Sequence, residues 1–213
     1  MPSATRHPQV NLPRWTHLWL ALGATGDAAS PYNRLIARHS EPHRHYHDLR
    51  HISECLAEFD AARNLAKQPP LLEAALWFHD AIYDIAASDN EAQSAQLAQQ
   101  IFAEASVPRA DVRHIQALIL ATKTHTPGLT PDADLICDID LSILGQSPAR
   151  YAEYETAIRQ EYAAVPADLF AAKRTEILQR FLSRPHIYHT DLFRTRYETT
   201  ARHNLESAIT ALT

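Results

Sequence analysis

The run Leu71-Leu72-Glu73-Ala74-Ala75-Leu76-Trp77-Phe78-His79-Asp80-Ala81-Ile82 constrains this chain more than any other segment. Drawn as a helix over about Leu71 to Tyr83, it is apolar nearly all round, and such a helix needs neighbours on every side. That makes it the centre of a bundle. The rest of the chain agrees: only four glycines occur in 213 residues, and Ala, Leu, Glu, Gln and Arg fill the periodic stretches. Caps and prolines mark further helices over about Pro13–Leu22, Ser30–His39, Tyr46–Lys67, Asn90–Ala105, Ala110–Lys123, Pro131–Leu144, Pro148–Ala164, Ala167–Leu182 and Asp191–Leu212. Strand alternation and internal repeats are lacking. The expectation is an all-α, single-domain helical bundle over residues 1–213, with roughly nine or ten helices.

Composition removes several function classes. The net charge is −5 with basic residues dispersed, so there is no basic stripe for nucleic acid. No apolar run reaches membrane-spanning length and Met1 to Pro8 has no signal-peptide core, which predicts a cytoplasmic protein without a membrane partner. Cys55 and Cys137 lie in apolar helical patterns and read as buried free thiols rather than a disulfide. Thirteen histidines stand out, with His39, His43, His45, His47 and His51 close together.

His79-Asp80 carries the chemical signal. An ionised aspartate inside so apolar a segment costs several kcal/mol unless a charge or hydrogen bonds compensate it. A metal ion would compensate it, and so would a hydrogen-bonded His–Asp pair. Neighbours on a helix point about 100° apart, so both reach one ion only if it lies close against the helix. Two further segments bring the same residue types. His47 and His51 are four apart on one predicted helix and share a face, while Asp138 and Asp140 occupy another apolar helix. Two imidazoles with carboxylates suit one divalent metal ion of the Mn, Fe, Co, Ni or Zn kind, with Mg less natural.

The ordered set Tyr46-His47-Asp48-x-x-His51, Trp77-Phe78-His79-Asp80-Ala81-x-Tyr83-Asp84 and Asp138-x-Asp140-Leu141 resembles the HD superfamily of metal-dependent phosphohydrolases. Asp89-Asn90-Glu91-x-x-Ser94-Ala95, Ala121-Thr122-Lys123-x-His125, Arg159-x-Glu161-Tyr162 and Ala201-Arg202-x-Asn204-Leu205 extend the resemblance over about residues 32–205. It implies His51, His79, Asp80 and Asp140 as metal ligands, with Asp138 supporting them. It also implies hydrolysis of a small phosphate ester, a nucleotide or related metabolite, by water that the ion activates. The Tyr-His-x-x-x-His segment is similar to that of cyclic-nucleotide phosphodiesterases, which implies His47 as the acid that protonates the leaving oxygen. Here Asp48 stands where that motif commonly has Asn.

Asp80 or Glu91 would take the proton of the attacking water, although a first-turn carboxylate such as Glu91 also suits a helix dipole alone. Arg44, Lys123 and His125 are candidates to hold phosphate, and solvated surface charge fits their spacing equally well. His114 and His125 lie about 16 Å apart if helical and so cannot share an ion. That spacing disfavours a di-iron oxygenase. A zinc-protease reading of His47-Asp48-Leu49-Arg50-His51 leaves His79, Asp80 and Asp140 unexplained. A regulatory domain that binds ligand with little turnover is the non-enzymatic alternative. A homodimer is the common assembly for helical domains of this size. Tyr83, Tyr151, Tyr154 and Tyr188 are pocket or core aromatics.

Overall fold

Burial of the apolar run sets the arrangement. In the computed structural model, which describes residues 7–212, the described chain is all-α. Its ten helices are α1 (Leu12–Ala21), α2 (Ala29–His39), α3 (Leu49–Ala62), α4 (Pro69–Phe78), α5 (Asn90–Glu104), α6 (Arg109–Ala121), α7 (Pro131–Asp140), α8 (Pro148–Glu161), α9 (Ala167–Leu182) and α10 (Asp191–Leu212). Short 3-10 turns extend α3 over Arg63–Leu65 and α7 over Leu141–Gly145. Among the described residues no helix is long and apolar enough to cross a membrane.

The chain divides into two compact units, residues 1–136 and 137–213, and the division falls inside α7 rather than at a linker. In the first unit α4 is buried from Leu71 to Phe78 and packs against α1, α3, α5 and α6. Trp15 is the largest piece of its surroundings: its ring lies 5.4 Å from Trp77 and 6.1 Å from Phe78, and its Nε1 donates to Ala28 O. The one carboxylate on α4, Glu73, is buried but paired with both Arg14 and Arg63 at 2.7 and 2.9 Å. In the second unit α10 packs on the 3-10 turn and α9. Asn204 Nδ2 donates to Leu144 O and Gln146 O, and Tyr188 Oη donates to Leu141 O.

Some helix ends differ from expectation for local reasons. Helix α2 is started by Asp27, whose carboxylate accepts from Ala29 N and Ser30 N, so Ser30 is not its cap. Helix α3 starts three residues later than its pattern suggested, because Asp48 takes the N-cap with extended backbone and accepts from Arg50 N and His51 N. Helix α4 ends at Phe78, short of Tyr83.

His39, the last residue of α2, gives a test of this packing. It is 1% exposed, its Nε2 donates weakly to Trp77 O, and its Nδ1 has no partner. Burial, followed by the charge of Arg44, pushes its pKa down to about 3. An unfolded histidine takes up a proton below about pH 6.5 while this one does not. Its contribution is therefore complete above pH 6.5 and lost as pH falls from there toward 3. Urea unfolding of wild type and His39→Leu should show the wild type losing stability faster on acidification, by up to about 1.4 kcal/mol per pH unit. Equal slopes would refute the neutral buried state.

Candidate metal centre

The early end of α4 is what forms the centre. His79 sits at the C-cap, its N still bonded to Ala75 O, and Asp80 lies beyond it in a turn closed by Ala81 N donating to Phe78 O. His79 keeps helical backbone at φ −54° and ψ −35°, and the two side chains nonetheless reach one point. From α3, His51 reaches the same point. His51 Nε2 and His79 Nε2 are 3.0 Å apart, and Asp80 Oδ2 lies 3.4 Å from the first and 3.2 Å from the second.

The hydrogen bonding fixes what faces the centre. His79 Nδ1 lies 2.9 Å from Leu76 O. A carbonyl only accepts, so Nδ1 carries the proton and Nε2 points a lone pair inward. That lone pair meets a second imidazole nitrogen and a carboxylate oxygen, with His51 and His79 both nearly sealed from water. Three acceptor-type atoms so placed need a cation or a proton among them. Burial opposes the charge on Asp80, but with a proton in place of an ion the positive imidazole of His79 and the hydrogen bonds from His51 and His79, with His47 behind them, outweigh it and hold its carboxyl well below the usual carboxylate range.

The triangle also has the size for an ion. A point equidistant from its three atoms lies about 1.9 Å from each in their own plane. His51, His79 and Asp80 would thus come within about the 2.1 Å ligand distance of one divalent ion. The residues fit a divalent metal of the imidazole- and carboxylate-binding kind. Asp80 is the open side of the triangle, its side chain 19% exposed against 2% and 1% for the histidines.

Cys55 joins this group. His51, Cys55 and His79 are all buried and offer ligand atoms within 4.8 Å of one another, a set that could hold a metal ion. Cys55 is a free thiol, as its sequence context suggested. Its Sγ is 3.7 Å from both Nδ1 and Nε2 of His51. A sulfur bound to an ion at Nε2 would be much nearer that nitrogen than the other, so the equal distances set Cys55 against the ring instead. Its proximity was readable from the i,i+4 spacing to His51 on α3.

His47 lies before α3, not on it, so the shared helix face proposed for His47 and His51 does not exist. The two are neighbours for another reason. The turn into α3 brings their ring centroids to 5.9 Å, and His47 stacks on Tyr83 at 4.2 Å and meets Tyr46 edge-on at 4.9 Å. Asp48, the base of the zinc-protease rival, spends its carboxylate on the α3 cap.

The remaining candidates are distributed as follows. Glu91, in the first turn of α5, is 4.0 Å from Lys123, whose Nζ also donates to Ser88 O at 2.6 Å. His125 follows α6 in the left-handed region at φ 48° and is half-buried. Arg44 does not offer its fork to a ligand: its side chain is fully buried and donates to backbone carbonyls and Glu41. Within the second unit, Asp140 is the last residue of α7 and half-buried. Asp138 is fully buried and accepts from His189 N, Thr190 N and Thr190 Oγ1 at 2.6–2.7 Å, so it serves the start of α10. Tyr151, Tyr154 and Tyr188 belong to that unit's core.

No family model, curated protein or solved structure matched the chain.

Proposed function

We propose that this chain is a metal-dependent phosphohydrolase acting on a small phosphate ester, a nucleotide or related metabolite. The observation that carries the reading is the convergence of His51 Nε2, His79 Nε2 and Asp80 Oδ2 within 3.0–3.4 Å. The order of these residues in the sequence, and their likeness to the HD superfamily, supply the reaction class. Asp140 is the fourth ligand in this proposal, since that order ends on a distant aspartate and Asp138 is engaged elsewhere. The free, buried thiols accord with a cytoplasmic setting.

When bound, a divalent ion supplies positive charge for the phosphoryl oxygens and acidifies a neighbouring water. His51 and His79 hold it from the buried side, leaving the Asp80 side for substrate and water. The ionised carboxylate of Asp80 accepts the water's proton as the oxygen attacks phosphorus, and Glu91 is the alternative acceptor. His47, beside His51 and steadied by Tyr83, gives a proton to the leaving oxygen as the P–O bond breaks. Lys123 and His125 are proposed to meet the phosphate from the far end of α6, in keeping with their charge and hydrogen-bonding capacity.

The test is direct. Metal-depleted protein, reloaded separately with Mn, Fe, Co, Ni, Zn or Mg, is offered a panel of nucleoside mono- and diphosphates, cyclic nucleotides and sugar phosphates. Release of phosphate or nucleoside should require metal and be lost in Asp80→Ala. No turnover with any pairing, or turnover unaffected by chelator, refutes the proposal.

A further inference from the structure

We infer that Arg44 is the positioning residue of the metal centre, holding Asp80 and His47 in place through their own backbone carbonyls. The inference rests on the metal-site reading above. Arg44 lies outside any regular helix, in the turn between α2 and α3, yet its side chain has no exposed surface. Its Nη1 donates to His47 O at 2.9 Å and to Asp80 O at 2.7 Å, and its Nη2 donates to Ala81 O at 3.2 Å. Its Nε donates to Glu41 at 3.0 Å, and the guanidinium carbon lies 5.5 Å from the Tyr83 ring centroid.

These contacts join two stretches that the His47–Tyr83 stack and the His43 bond to Tyr83 O also tie together. One leads into α3 and ends on the proposed acid, and the other leaves α4 and contains the proposed carboxylate ligand. The carbonyls of Asp80 and Ala81 are among those a helix would have spent on residues four further along. Arg44 holds both instead, and so fixes the turn after α4 that carries Asp80. Ser94 completes the hold from α5, its Oγ accepting from Ile82 N at 3.0 Å. His43 Nε2 adds a bond to Tyr83 O at 3.0 Å.

The work asked of Arg44 is geometric. A positive charge near a cation site repels the ion, so charge alone would weaken binding. The planar fork spans three carbonyls, and a lysine ammonium cannot span them in that plane. Retaining charge without shape should therefore fail to restore the site.

Cobalt(II) titration of metal-free wild type, Arg44→Lys, Arg44→Gln and Glu41→Gln, read by visible absorption, tests this. Circular dichroism confirms folding at the working temperature, and Ile115→Ala in the core of α6 controls for general loss of stability. Affinity should fall roughly ten- to hundredfold in both Arg44 variants, less in Glu41→Gln, and not in Ile115→Ala. Wild-type affinity in either Arg44 variant, or equal loss in the core control, overturns the inference. Should both Arg44 variants fail to fold, Glu41→Gln decides by the same comparison with the control. If wild type binds no cobalt, the metal reading falls by itself, and amide exchange of Ala81 and Ile82 tests Arg44 alone. Those two amides should then exchange about tenfold faster in the first Arg44 variant that folds, or in Glu41→Gln, than in the control. Unchanged exchange overturns the positioning role.

Discussion

His79→Ala is expected to lower affinity for Co(II) or Mn(II) by more than a hundredfold and to remove metal-dependent turnover. Loss of a hydrogen-bond partner behind a metal ligand already costs ten- to hundredfold, and His79 is proposed as a ligand. Nothing about folding forces the loss. The backbone bond from residue 79 to Ala75 O survives the substitution, and the side chain gives up its contacts with Leu76 O, His51 Nε2 and Asp80 Oδ2. In the metal-free protein the change also removes one of two imidazoles that face each other at 3.0 Å, a contact needing a proton or an ion to be favourable. The metal-free variant should thus melt close to wild type. The difference appears on adding metal. Wild type gains about 2.7 kcal/mol at a free concentration a hundred times Kd, and the variant should gain almost nothing. Thermal melts with and without metal, beside calorimetric titration, measure both halves. A metal-induced shift that persists in the variant would remove His79 from the centre.

Asp138 and Asp140 should separate in the opposite sense. Asp138→Ala leaves the amides of His189 and Thr190 and the Thr190 hydroxyl without their acceptor, at a fully buried position. Charge-assisted bonds of this kind are worth about 1.5–3 kcal/mol each, and buried donors left alone are costly. A loss of roughly 3–5 kcal/mol is expected, or a midpoint lower by about 10 °C. Asp140→Ala removes no helix cap of this kind and should cost less stability than Asp138→Ala, while metal affinity falls. Denaturant unfolding and cobalt titration of both variants check the pair. Strong destabilisation by Asp140→Ala with unaltered cobalt binding would reverse the assignment.

Much of this was legible in the residues. The apolar surroundings of His79 foretell its burial, and periodicity with prolines locates each helix to within about five residues. What escaped was decided by contacts distant in sequence. Periodicity continues back through His47, whereas Asp48 is the better cap and starts α3 after it. The sequence pattern continues α4 to Tyr83, since no glycine or proline follows Phe78. It stops at Phe78, where Ala81 N turns back to Phe78 O and Ile82 N is taken by Ser94 Oγ from α5. The Arg44 guanidinium reads as a phosphate ligand, since sequence shows its charge but not its partners. The resemblance implies Asp140 as ligand with Asp138 as its support, but residues before α10 occupy Asp138, which sequence spacing does not show. The division into two units left no trace in composition because it lies within a continuous helix.

The placement of His79 and Asp80 at the end of α4 makes that helix a ruler. Its start is fixed by Pro69 and by Asp132, which accepts from the amides of Lys67 and Gln68. One residue inserted or deleted between those points would rotate everything after it by about 100° and shift it 1.5 Å along the axis. Substitutions on α4 trade one packing for another, but a change of length swings both side chains away from His51 at once. Drift in this protein should therefore be tolerated in the composition of α4 and excluded from its count.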